Sequence, residues 1–169
     1  MKKPFLFLII TLFSIFPLSG CSNQTPGVSL SDAVTYVYKS VLDPYEESWL
    51  RNFSEEETAN KFGISSSLYT EACVYASPKT SYATVFAGFR TTEDKGNDLE
   101  SALSVAKQNV IIAFDGYLPD QYLIAKNAEI KQYGDYYFLV MTKQNDAVIQ
   151  ALEDYFKNGS SISSNISQS

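Results

Sequence analysis

Apolar side chains along the chain change their spacing several times, and each change marks an element. Over residues 32–42, Ala33, Val37 and Val41 share a helical face with Tyr38, Ser31 or Asp32 stands where an N-cap is needed, and Pro44 ends the run. In "SEEETANKFG", Ser54 and Glu57 lie three apart as a capping box requires, and Gly63 supplies the C-terminal stop, so a short helix is expected there. Two β-like runs follow, "EACVYAS" (71–77) and "YATVFAGFR" (82–90), parted by Pro78 and its neighbours. Asn97 with Glu100 offers a second capping-box start for a helix to about Phe114, along which Leu99, Ala102, Leu103, Ala106, Val110 and Ala113 recur at helical spacing. Gly116 and Pro119 interrupt, and a short helical turn over "PDQYLIAK" is expected next. Two further strands are predicted at 127–132 and 135–143, with Tyr133-Gly134-Asp135 as a tight hairpin turn. Asn145 stands as cap for a last helix to about Lys157, with Val148, Leu152 and Phe156 in register. The polar "NGSSISSNISQS" of residues 158–169 is expected to be disordered.

This order predicts an α+β domain over residues 30–157. Two strand-strand-helix units would build an antiparallel sheet of about four strands, with helices packed on one face and helical decoration at the N-terminus. Along the last strand Tyr136, Phe138 and Val140 point one way and Tyr137, Leu139 and Met141 the other, so both faces are apolar. Two outcomes are open for the second face. Either the N-terminal helices with Trp49 and Phe53 cover it, or Tyr75, Phe86 and Tyr137 present an amphipathic platform to a peptide, glycan or protein.

The first 21 residues, "MKKPFLFLIITLFSIFPLSGC", follow a different logic. Lys2 and Lys3 precede an apolar run from Pro4 to Leu18 broken only by Thr11 and Ser14, shorter than the ~20 residues of a bilayer span but suited to a signal peptide. Leu18, Ser19 and Gly20 lead directly into Cys21, which resembles the lipobox of bacterial lipoproteins. That resemblance implies that Cys21 carries a diacylglyceryl group, with palmitate-type chains, and that residues 1–20 are cut away between Gly20 and Cys21. It also implies a protein held at the extracytoplasmic face of a membrane by its lipid, with "SNQTPG" as the start of a short tether over 21–29.

Charge narrows the partners. The chain carries 13 basic and 19 acidic side chains, and removing residues 1–20 takes away Lys2 and Lys3 alone, leaving 11 against 19. Such a surface repels phosphate backbones, so no nucleic-acid partner is expected.

Candidate chemistry is sparse. With no histidine in the chain, Ser-His-Asp and Cys-His pairs, histidine bases and histidine metal sites are excluded. Cys73, flanked by Ala72 and Val74 in a predicted strand, reads as a small buried hydrophobe. Glu55-Glu56-Glu57 falls in a first helical turn, where negative charge complements the helix dipole. Glu93, Asp94, Asn97, Asp98 and Glu100 offer oxygens to a hard cation without the spacing of an EF-hand loop. Asp115, Asp120 and Asp135 are possible acid and base groups that nothing in the sequence places together. No glycine-rich phosphate loop is visible, and the sequence calls for no metal or cofactor.

The F-G-I entry at Phe62 to Ile64, the strand pair before a long helix, Y-L-P-D-Q-Y at 117–122 and the Y-G-D-Y-Y-F hairpin together resemble the uncharacterised bacterial lipoproteins grouped as domain of unknown function family 4358. The resemblance spans about residues 30–157 and implies the same architecture and a cell-membrane location, on the Gram-positive pattern. It brings no activity with it. Two functions remain open: a non-catalytic binding or accessory module at the cell surface, which the missing catalytic groups favour, and a carboxylate-based hydrolase acting on the envelope.

Overall fold

The computed structural model of the 169-residue chain describes residues 29–42 and 50–166. Trp49, Gly20 and Cys21 lie outside these residues. Helix α1 (Leu30–Val37) is capped by Ser29, whose hydroxyl accepts from the Asp32 N–H, rather than by Ser31 or Asp32. It runs on through a π-helical turn, Tyr38–Leu42. Strand β1 (Arg51–Phe53) leads to α2 (Glu55–Phe62), then β2 (Glu71–Ala76), β3 (Val85–Arg90), α3 (Gly96–Phe114), α4 (Pro119–Lys126), β4 (Glu129–Tyr133), β5 (Tyr136–Met141) and α5 (Asn145–Ile166).

The capping box on α2 forms as its sequence dictates. Ser54 Oγ accepts from the Glu57 N–H, Glu57 Oε2 accepts from the Ser54 N–H at 2.9 Å, and Gly63 closes the helix at φ 71°. Arg51 joins the box, donating through Nη1 to Glu57 Oε2 at 2.9 Å, and together these contacts hold the Glu57 carboxyl down at about 2. A carboxyl so lowered adds stability that is complete above its ordinary value near 4.5 and is lost as pH falls towards 2. Glu57→Gln is therefore expected to destabilise the protein at neutral pH, with the difference from the unaltered protein shrinking between about pH 4.5 and 2; urea titrations at stepped pH measure it. A difference independent of pH would contradict it.

The second capping box does not form. The chain enters α3 through a 3-10 turn at Glu93–Lys95, so Asn97 already lies inside the helix, where its carbonyl accepts from Ser101 Oγ. Asn145 likewise turns its side chain backwards, accepting from the Thr142 N–H and donating to the Asn127 carbonyl, which pins the start of α5 to the end of α4. Helix α5 extends past the expected end near Lys157 to Ile166. Once nucleated, a helix lengthens at one hydrogen bond per residue, and this stretch contains no proline to stop it.

The strands form one antiparallel sheet in the order β1-β2-β3-β5-β4. The class is α+β, as expected, with two differences. β1 adds a fifth strand at the edge, and the helices occupy both faces.

On one face α3 packs Leu99, Leu103 and Ala106 against Val85, Ala87, Phe89, Leu139 and Met141. On the other, α1 and α5 set Leu30, Val34, Val37, Val148 and Leu152 against Phe86, Phe138 and Val140. The two strand-strand-helix units thus send their helices to opposite sides of the sheet. Double coverage explains why β3 and β5 read as near-continuous apolar runs, and every residue of β5 is buried.

Candidate functional site

The residues singled out for an aromatic platform are separated by the sheet. β2 and β3 pair Tyr75 with Phe86, and β3 and β5 pair Phe86 with Val140, so Tyr75 and Phe86 share the face beneath α1 and α5. Tyr137 pairs with Phe89 and belongs to the opposite core. Phe86 is fully buried, and Tyr75 is half-buried with its ring stacked on Tyr38 at 4.3 Å. Tyr137 is buried, its hydroxyl receives a hydrogen bond from Gln132 Nε2 at 2.8 Å, and Gly96 lies hard against that hydroxyl. An open platform of these three is not what the fold makes, because each sheet face has its own helices.

The carboxylates also stay apart. Asp135 accepts from Arg90 Nε at 2.8 Å, and Arg90 also reaches Glu71, so these groups tie the β4–β5 turn to β2 and β3. Asp94 accepts from the Thr92 hydroxyl, which lowers its pKa, and Asp98 pairs with Lys95. Among the described residues, no three His, Cys, Asp or Glu side chains gather as a metal site would need. Cys73 is buried beneath α1 and α5, and burial pushes its thiol up to about 11. A thiol held protonated at neutral pH is a poor nucleophile, which agrees with its packing role.

What the fold does assemble is a pocket of about 320 Å³ between the β2–β3 connection and the start of α4, lined by Ser81, Tyr82, Leu118, Pro119, Asp120 and Gln121. Both walls are fixed by local chemistry. In the β2–β3 connection, Ser77 Oγ accepts from the Lys79 N–H at 3.0 Å, and the Ser77 carbonyl accepts from Lys61 Nζ. In the other wall, α3 ends at Phe114, Gly116 takes φ 71° to reverse the chain, and Pro119 opens α4 at a position where its missing N–H costs nothing. Lys107 of α3 donates to the Ala128 carbonyl, holding the far end of α4.

A side-chain hydrogen bond joins the walls. Gln121 Oε1 accepts from the Ala83 N–H at 2.9 Å, across 38 residues of sequence. Within the lining, Tyr82 is 39% exposed; Tyr117, at the α3–α4 corner, is 73% exposed. Lys79 Nζ lies 5.9 Å from the centre of the Tyr82 ring.

The segment Leu118 to Gln121 was legible as a distinctive stretch of sequence, but its meeting with Ser81 and Tyr82 was not. Nothing local in "KTSYA" signals the contact. Among the described residues Asp120 is the one carboxylate lining the pocket, while Asp115 ends α3 outside the lining. An acid and base pair of the hydrolase type is therefore not formed there among the described residues. None of the described helices is long and apolar enough to cross a membrane.

The chain matches no curated protein and no solved structure. A family model does match it over residues 44–142, more than half its length, taking in every strand and α2 to α4, the pocket included. By that match the chain belongs to the family described as Domain of unknown function (DUF4358).

Proposed function

We propose that the protein is a lipid-anchored, extracytoplasmic binding or accessory module of the cell surface, and that it acts without catalysis. The observation that carries the binding part is the pocket: a fixed, open concavity whose lining mixes an exposed aromatic ring with a hydroxyl, a carboxylate and an amide, with one carboxylate among the described residues. Such a lining suits recognition of a ligand, and among the described residues it brings no second carboxylate beside Asp120 for acid-base hydrolysis. The anchoring part is supported by the "LSGC" sequence after an apolar run, with Cys21 as the lipid site and the bond from Gly20 to Cys21 as the cut.

Two acyl chains bind durably where one binds marginally, because each buried methylene contributes ~0.8 kcal/mol. The domain then needs no basic surface to stay at the membrane. Cys21→Ala is expected to abolish labelling by radioactive palmitate and either release the protein from the membrane fraction or leave its precursor uncut. Unchanged labelling of the variant would refute the anchor.

A further inference from the structure

We propose that the pocket between the β2–β3 connection and α4 binds a neutral, β-linked sugar chain, one pyranose ring lying on Tyr82 with its hydroxyl edge towards Asp120 and Gln121. This rests on the reading of the protein as a surface binding module and names the ligand class of that module. A β-linked pyranose with equatorial substituents has a flat C–H face and a rim of hydroxyls. The pocket divides the same way, with Tyr82, Leu118 and Pro119 apolar and Ser81, Asp120 and Gln121 polar.

Each polar group has capacity left for a ligand. Asp120 and Ser81 have no hydrogen-bond or ion-pair partner among the described residues. The two oxygens of Asp120 accept from a neighbouring pair of hydroxyls, as a charged acceptor does strongly. Gln121 has its oxygen occupied by the Ala83 N–H, which fixes the amide and leaves its NH₂ as the end that donates. A carboxylate acceptor beside an amide donor matches hydroxyls, which do both. Little ordering is required on binding, since the Ser77 turn and the Gln121 to Ala83 bond already hold both walls.

Charge selects among ligands. An acidic sugar meets Asp120 within a chain of net charge −6 and is repelled. A cationic side chain stacking on Tyr82 meets the Lys79 ammonium, 5.9 Å from the ring centre. A neutral ring avoids both.

The test uses the full chain in detergent, observed by amide resonances, with chitotetraose and cellotetraose as probes, and tetragalacturonate and a basic proline-rich peptide as comparisons. A neutral probe is expected to shift the Ser81, Tyr82 and Gln121 amides saturably. Tyr82→Ala is expected to weaken that binding about tenfold or more while Tyr82→Phe stays within about threefold, because the ring face carries the contact. Asp120→Asn is expected to weaken it severalfold without loss of the folded spectrum. The proposal is overturned if neither neutral probe shifts these amides, or if Tyr82→Ala binds as the unaltered protein does. Shifts at the same amides by the peptide alone would overturn the sugar assignment and leave the binding module standing, whereas the anchor fails separately, in the palmitate experiment.

Discussion

Replacing Gly88 with valine is expected to destabilise the protein by about 3 kcal/mol or more, and with alanine by about 1–3 kcal/mol. The reason is where α1 crosses the sheet. A Cβ at Gly88 would stand 2.8 Å from Phe138 Cε1, 2.8 Å from Val34 Cγ2 and 2.9 Å from Leu30 Cδ1. All three side chains are almost wholly buried, so none can swing into solvent to make room. Glycine at this position lets the helix settle onto β3, and a larger residue forces α1 outward or distorts the β3–β5 pairing at Gly88 and Phe138. Urea denaturation followed by circular dichroism measures the loss, and hydrogen exchange locates it. Amides of α1 are expected to lose protection before those of α3, which packs on the other face. A valine variant within about 0.5 kcal/mol of the parent would show that α1 does not rest on β3.

Phe138→Ala is expected to cost about 3–5 kcal/mol. The ring is fully buried on β5 and lies 6.4 Å from Phe86, 5.9 Å from Tyr133 and 5.7 Å from Phe156 between ring centres. These neighbours come from three different elements, so none can collapse into the space without moving a strand or a helix. The cavity term then adds to the lost burial. Phe86→Ala combined with Phe138→Ala is expected to cost less than the sum of the two single changes, since the rings share a boundary. Additive losses would mean that the two sites relax independently. As a control, Tyr117→Ala at the exposed α3–α4 corner should lie within about 0.5 kcal/mol of the parent.

Much of this architecture is written locally. Ser54, Glu57 and Gly63 announce α2 because capping depends on neighbours in sequence, and Gly134, at φ 63°, marks the β4–β5 turn for the same reason. The apolar runs of β3 and β5 indicate that both faces are buried. They cannot say by what, since parity along one strand carries no information about its neighbours' register. For that reason Tyr75 and Phe86 were legible as aromatic, yet their separation from Tyr137 depended on pairings set between distant strands. β1 carries no such signature, because three residues are too few to show a period, and its place is set by β2 offering an unpaired edge. The capping box at Asn97 and Glu100 failed because an earlier turn, at Glu93–Lys95, had already begun the helix. The pocket was half legible. Leu118 to Gln121 stood out, while Ser81 and Tyr82 entered only through the Gln121 to Ala83 bond.

The meeting of α1 and α5 has a consequence for the order in which the domain is completed. Tyr36 of α1 lies 5.4 Å from Tyr155 of α5 between ring centres, and the two helices together close one face of the sheet. In synthesis from the N-terminus, α1 is made well before α5. That face stays unsealed until residues near Tyr155 have arrived, and up to that point Phe138, Tyr136 and Val140 lack their full cover.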